Sequence, residues 1–256
     1  MPIIRVTDLA VDYGTVRALD GVSFAVDSGC VLGYIGPNGS GKSTTIRCML
    51  GLHQDYDGEI EFFGRSIQTA SEYRRRIGYV PENCALYESL TGREYVLYSS
   101  SLYGLQPEKA RVRLEQLASS FRIFQSLDER ICTYSKGMKQ KIVIICAIIH
   151  NPDVLILDEP LDGLDAEAIE IFKRILRMKA DQGGAVLYSS HVMEIVERIS
   201  DRVLILKKGS IVAAGGLQDI KADIGTNSDL ASLLQALTGT VDPGAEAEAC
   251  METLRG

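Results

Sequence analysis

GPNGSGKST, Gly36 to Thr44, lies between the apolar run CVLGYI (30–35) and the segment STTIRCMLGL, whose Ile46, Met49 and Leu50 recur at helical spacing. Strand, glycine loop and helix follow one another without a gap. Through Gly36, Gly41, Lys42 and Ser43 the stretch fits G-x-x-x-x-G-K-[ST]. Glycines let the backbone wrap close around phosphate oxygens. The N–H groups of the loop, with Pro37, Asn38, Gly39, Ser40 and Thr44 completing it, and the helix N-terminus supply fixed positive potential. Lys42 adds a mobile full charge, and Ser43 offers a hard hydroxyl oxygen of the kind Mg²⁺ prefers. An ordinary glycine turn beside a surface lysine would need neither the strand before it nor the helix after it.

A phosphate loop requires a second handle on the metal. VLILDEP (154–160) supplies it, a buried strand that ends in Asp158 and Glu159. Two acids directly after four aliphatic residues are not explained by packing. Asp158 is placed to hold Mg²⁺ through water, and Glu159 to polarise the water that attacks a γ-phosphate.

Composition narrows the setting. The chain has 256 residues, 46% hydrophobic and 24% charged, which suits one large globular domain or two modest ones. A net charge of −7 gives no general attraction to nucleic acid or anionic lipid, so Arg74, Arg75 and Arg76 are read as a solvated face. Six cysteines without a C-x-x-C pair read as reduced thiols. The longest apolar run, Ile142 to Ile149, is far short of the roughly 20 residues a membrane span requires. Asp8 and Asp12 interrupt the stretch a signal peptide would keep apolar, which makes a cytoplasmic location the expectation.

The remaining elements point to an α/β fold. Residues 3–7 and 22–26 flank the turn-like DYGTVRALDG as the start of a small antiparallel sheet, and DGEIEFFG reads as a hairpin. IGYV stops at Pro81. Residues 88 to about 150 read as a helical insertion, after which VLILDEP, AVLYSS and the hairpin RVLILKKGSIVAAG alternate with helical segments. This alternation predicts a mostly parallel sheet. The expected organisation is one unit over 1–216 with a helical lobe near 88–150, then a short tail, 217–256, carrying the amphipathic stretch DLASLLQALTG.

With both phosphate motifs in place, YSKGMKQK (134–141), LDGLD (161–165) and the strand-end His191 complete a set of five motifs that resembles the ATP-binding-cassette (ABC) family of ATPases over residues 1 to about 216. Ser135 can cap the following helix and Gly137 allows close backbone approach, which makes a second anion-binding helix terminus. The resemblance implies a phosphate-loop NTPase core of RecA-like type, with an N-terminal antiparallel β subdomain and a helical insertion. It implies ATP and Mg²⁺ as ligands, the metal held by Ser43, Asp158 and Glu82. It further implies that Ser135, Lys136, Gly137 and Met138 contact ATP held by the opposite subunit of a head-to-tail dimer, here a homodimer. Tyr13 matches the aromatic that stacks on adenine, although alone it reads equally as a core tyrosine. His191 matches the histidine that contacts the γ-phosphate. Asp165 matches the aspartate of the loop crossing the dimer interface, or by itself a turn or helix cap. His53 and His150 have no such placement and read as structural or solvent-facing.

Three positions depart from the usual pattern. Lys136 stands where the commonest signature, L-S-G-G-Q, has glycine; Glu82 replaces the glutamine after I-G-Y-V-P; and Asp162 replaces a frequent serine. With SKGMKQ, these resemble the branch that powers drug, antibiotic-peptide, sodium, polysaccharide or lipid exporters. Tyr87, Tyr95, Tyr98 and Tyr103, with Leu90, Val96 and Leu102, lie near the Glu82 loop, where the family docks an integral membrane subunit. An aromatic groove taking a partner helix is one reading, and the helical lobe's own core is the other. The implied function is the ATPase subunit of a membrane exporter, peripheral on the inner face of the cell membrane and without a nucleic-acid partner. The alternative is a soluble, non-transport ABC ATPase. Such chains usually carry two cassettes, coiled-coil insertions or basic arms, none of which occurs here. A phosphate-loop kinase or GTPase would need an acceptor lid or a guanine-reading N-K-x-D, and neither is present.

Overall fold

The computed structural model describes residues 2–69, 71–83, 85–190 and 193–224, with Met251 and Thr253. The stretch DLASLLQALTG and His191 lie outside the described residues.

The first layer is an antiparallel sheet in the order β2-β1-β4-β5, formed by β1 (Pro2–Tyr13), β2 (Val16–Asp27), β4 (Asp57–Phe62) and β5 (Arg65–Ser66). The expected turn DYGTVRALDG contracts to Gly14 and Thr15, and most of it is strand. Its polar residues belong to a solvent-facing ribbon end, where Arg17 is bonded to Asp12 at 2.9 Å and to Asp20 at 3.2 Å. Polarity there marks exposure and not chain reversal.

The second layer is six-stranded, in the order β10-β9-β3-β8-β7-β6. Its members are β3 (Val31–Ile35), β6 (Ile77–Val80), β7 (Val154–Asp158), β8 (Ala185–Ser189), β9 (Arg202–Lys207) and β10 (Ser210–Gly215), with only β10 antiparallel to its neighbour. β3, β7 and β8 are buried along their whole length, which is why they read as continuous aliphatic runs. The pleat divides their side chains between two cores. Leu155, Leu157, Val186 and Tyr188 face the helical lobe, while Val154, Ile156, Ala185 and Leu187 face the antiparallel sheet and α1 (Lys42–Met49).

The helical lobe holds α2 (Gly92–Leu102), α3 (Pro107–Ser120) and α4 (Lys136–Ile148). Thr91 and Glu94 form a reciprocal capping box at the start of α2, and Pro107 occupies the first turn of α3, where its missing N–H costs nothing. The side of α4 carrying Ile142, Ile144 and Ile145 is buried. α5 (Ala166–Asp181) and α6 (Met193–Ile199) cover the parallel sheet. α6 packs so closely on β3 that a Cβ at Gly33 would lie 2.6 Å from Val196. α7 (Leu217–Ile224) sets Ile220 into the core. Arg74–Arg76 fall in a short 3₁₀ turn and are exposed, the solvated face expected of them. Arg76 is bonded to Asp153 at 2.7 Å and lies 3.5 Å over the Phe63 ring.

Candidate functional site

The loop between β3 and α1 wraps tightly because its glycines meet other backbone. A Cβ at Gly36 would lie 2.3 Å from the carbonyl oxygen of Leu206, and one at Gly41 would lie 2.9 Å from the carbonyl oxygen of Ala18. Gly41 adopts φ 109°, a conformation that L side chains rarely take, and serves as the N-cap of α1. Lys42 reaches back along the loop, donating to the carbonyls of Gly36 at 2.7 Å and Pro37 at 3.2 Å. Burial lowers the pKa of Lys42, opposed by the carboxylates of Glu159, Asp158 and Glu82. Behind the loop, the hydroxyls of Tyr34 and Thr45 meet at 2.9 Å, and Thr45 donates to the Gly41 carbonyl at 3.1 Å.

The end of β7 brings the two acids to this loop. Ser43 donates to Asp158 at 3.1 Å, across 115 residues of sequence. Burial raises the pKa of Asp158, an effect eased by the Ser43 hydrogen bond. Glu159 leaves the strand at φ 49°, a left-handed conformation that costs roughly 1–3 kcal/mol for a residue with a side chain. Its N–H donates to the Ser189 carbonyl at 3.0 Å, and its carboxylate accepts from Ser190 at 3.1 Å.

These groups line one cavity of about 440 Å³. Asn38 to Thr44 form one side, Asp158, Glu159 and Glu82 another, and Tyr13 and Ala18 the outer wall. Tyr13 is 44% exposed, and its ring centroid lies 5.2 Å from that of His53. That exposure rules out the core reading of Tyr13. The cavity's chemistry suits a metal-bound polyphosphate. The hydroxyl of Ser40 is buried without a partner beside a backbone cradle that admits no Cβ, and Ser43 and Asp158 present hard oxygens side by side. Among the described residues, no cluster of three or more His, Cys, Asp or Glu could cage a metal by itself. A donor set this small fits Mg²⁺, which keeps waters and takes phosphate oxygens as ligands.

The signature residues stand apart from this cavity. Ser135 caps α4, accepting from the N–H of Met138 at 3.2 Å, and Ser135 and Lys136 are exposed. Gly137 packs against the loop after β7, where a Cβ would lie 2.4 Å from the carbonyl oxygen of Gly163. Asp165 both caps α5, accepting from Ala168 at 2.8 Å, and pairs with Lys141 at 2.6 Å; Lys141 and the backbone N–H hold its carboxyl below the usual range. Sequence reasoning missed three members of these sites. Ser190, on Glu159, stood in view at the end of AVLYSS, whereas His53 beside Tyr13 and Gln140, donating to the Pro160 carbonyl at 2.8 Å, gave no local signal. His150 is structural as expected, stacked on Tyr103 with centroids 3.8 Å apart.

Of the tyrosines near the Glu82 loop, Tyr87 and Tyr98 are exposed and gather with Tyr95, their centroids 6.0–6.3 Å from Tyr87. Val96 belongs to the core. No helix among the described residues is long and apolar enough to cross a membrane.

Comparison with known proteins agrees with the geometry. The ABC transporter family model matches residues 19–162. The ABC-type transporter ATP-binding protein EcsA of Bacillus subtilis is 37% identical over 88% of this chain and 92% of its own length. The daunorubicin/doxorubicin resistance ATP-binding protein DrrA of Streptomyces peucetius is 33% identical over 88% of this chain and 68% of its own. A solved ATP-binding subunit of an ABC transporter superposes with a TM-score of 0.87 at 36% identity, covering 92% of this chain and 99% of that one. The phosphate loop, the paired acids and these likenesses together place the chain in the ABC transporter family, as an ATP-binding subunit with the ATPase activity of that family.

Proposed function

We propose that this chain binds ATP with Mg²⁺, hydrolyses it between two copies of itself, and couples closure and reopening of that pair to a separate membrane subunit of an exporter. The observation that carries the reading is the single cavity in which Tyr13, Lys42, Ser43, Glu82, Asp158 and Glu159 converge from four separate stretches of chain. Mg²⁺ would supply charge neutralisation on the phosphates, held by Ser43 and Asp158 with Glu82 at the rim. The loop amides from Asn38 to Thr44 and Lys42 orient the triphosphate, and Tyr13, exposed at the cavity wall, takes the base against its ring. Glu159, held by Ser190, accepts the proton of the attacking water, and His191, which matches the family's histidine, would contact the γ-phosphate.

Ser135, Lys136, Gly137 and Met138, exposed or half-buried and away from their own cavity, would address the ATP of the second copy, with Asp165 beside them. The nucleotide then drives the membrane subunit by binding the closed pair more tightly than the open one. Tyr87 and Tyr98 offer that subunit an exposed aromatic surface. The export direction rests on relatives whose names state drug resistance, such as DrrA. The chain itself would work in the cytoplasm, on the inner face of the membrane.

The test is the ATPase rate against protein concentration for wild type and Glu159→Gln, with sizing in ATP and Mg²⁺. The wild-type rate per subunit should rise with concentration. The variant should turn over about 10²–10⁴-fold more slowly and accumulate as a nucleotide-bridged dimer. Near wild-type turnover would move the proton-accepting role to Glu82 or elsewhere. Recovery of an integral membrane protein from solubilised membranes would support transport, and recovery with ribosomes or DNA would support the non-transport alternative.

A further inference from the structure

Two of the unusual positions, Lys136 and Asp162, lie 26 residues apart in sequence and meet in space, with Nζ 2.5 Å from Oδ2. Each supplies the charge the other needs. Lys136 opens α4, whose first turn holds no acid, so its cation faces the positive end of the helix dipole. Lys139 and Lys141 follow on the same helix, and each also has a carboxylate from a neighbouring loop, Glu88 and Asp165 respectively.

Exposure separates the three pairs. The lysine side chain is 11% exposed at Lys141, 31% at Lys139 and 71% at Lys136, where Asp162 is itself 59% exposed. A pair this open adds little to stability and yields readily to another anion. The backbone beneath it does not yield. Gln140 holds the Pro160 carbonyl at 2.8 Å, Lys141 holds Asp165, and Gly137 sits against Gly163. Asp162 is therefore fixed relative to α4, and the Lys136 side chain is the movable part.

We propose that Asp162 is a positioning residue that holds Lys136 at the mouth of α4 and surrenders it to the triphosphate of the second copy. The inference rests on the reading that the signature end addresses that nucleotide. A triphosphate carries more negative charge than one carboxylate and takes the lysine on closure. Once the terminal phosphate has left, Asp162 recaptures the lysine and favours opening. Asp162 thus competes with ATP for one cation.

The competition predicts shifts of opposite sign. In full-length Glu159→Gln protein with ATP and Mg²⁺, Lys136→Met should weaken dimerisation and Asp162→Asn should strengthen it. Each shift in the dimer dissociation constant should be on the order of fivefold by sedimentation, shrinking as salt is raised. Lys136→Arg should stay near the parent. Both side chains are exposed, so the melting temperatures should match the parent's. If the pair served only to shape the loop, both variants would weaken the dimer; that result, or no shift in either, overturns the proposal and leaves the two-copy reading standing. A Glu159→Gln parent that binds ATP but stays monomeric overturns the two-copy reading, and this proposal with it.

Discussion

The phosphate loop and the signature segment each lead into a helix N-terminus, yet they are built in opposite ways. At the first, Lys42 is half-buried and bonded to backbone carbonyls, Gly36 admits no side chain, and Asp158 is 4% exposed. At the second, the contacts that reach the surface are ion pairs between side chains, the outermost of them open to solvent. Neutral backbone contacts in a buried loop keep their geometry when a ligand arrives, whereas exposed ion pairs can be exchanged for ligand charges. On the proposed function, one end is preformed for its own nucleotide and the other suits a partner that comes and goes.

The comparison can be broken at several points. Lys42→Ala should cost the most, lowering ATP affinity by on the order of 100-fold in a nucleotide titration, since a charge-assisted contact to phosphate disappears from a partly desolvated site. Ordinary affinity in that variant would mean that the loop is not the phosphate site. Gly137→Ala forces a methyl group to within 2.4 Å of the Gly163 carbonyl oxygen and should displace the signature helix from the crossing loop. ATPase turnover should fall about tenfold and stability by about 1–3 kcal/mol. Unchanged turnover would show that the packing of these two segments has no bearing on hydrolysis.

Tyr13→Ala should raise the KM for ATP about tenfold through lost stacking, and His53→Ala by about threefold, because His53 only backs the Tyr13 ring. An equal or larger effect at His53 would make it a direct contact to the base. The smallest expected shift is one of melting temperature. Burial raises the Asp158 pKa, so its ionised form costs the folded state free energy. That cost is fully present above the raised pKa and vanishes below the ordinary carboxylate value of 3.8. Asp158→Asn should therefore raise the melting temperature by a few degrees at neutral pH, with the gain shrinking on acidification, even as ATPase activity is lost. A variant that melts lower at neutral pH would mean that the Ser43 hydrogen bond outweighs the burial.

Much of the frame was legible because its signals are local. The four aliphatics before Asp158 mark a strand buried on both faces, and the glycines of the phosphate loop mark a turn that only bare backbone can make. The ribbon of β1 and β2 was under-read because polar residues at a solvent-exposed strand end look like a turn, and the partners of Arg76, Asp153 and Phe63, were not legible because they lie on other elements. His53 carried no signal at all, since its role depends on where the end of β1 folds back.

From the sequence alone came the chemistry: a triphosphate cradle at Gly36 to Thr44, two acids at the end of an aliphatic strand, and a capped glycine-bearing helix start at Ser135. Those readings need only neighbours in the chain, where backbone conformation and hydrogen bonding are decided within a few residues. Tertiary structure alone decided that Ser43 meets Asp158, that Tyr13 lines the same cavity, and that Lys136 and Asp162 form an ion pair. Contacts between distant residues follow from strand order and from how the pleat divides side chains between two cores, and no single stretch of chain contains that information.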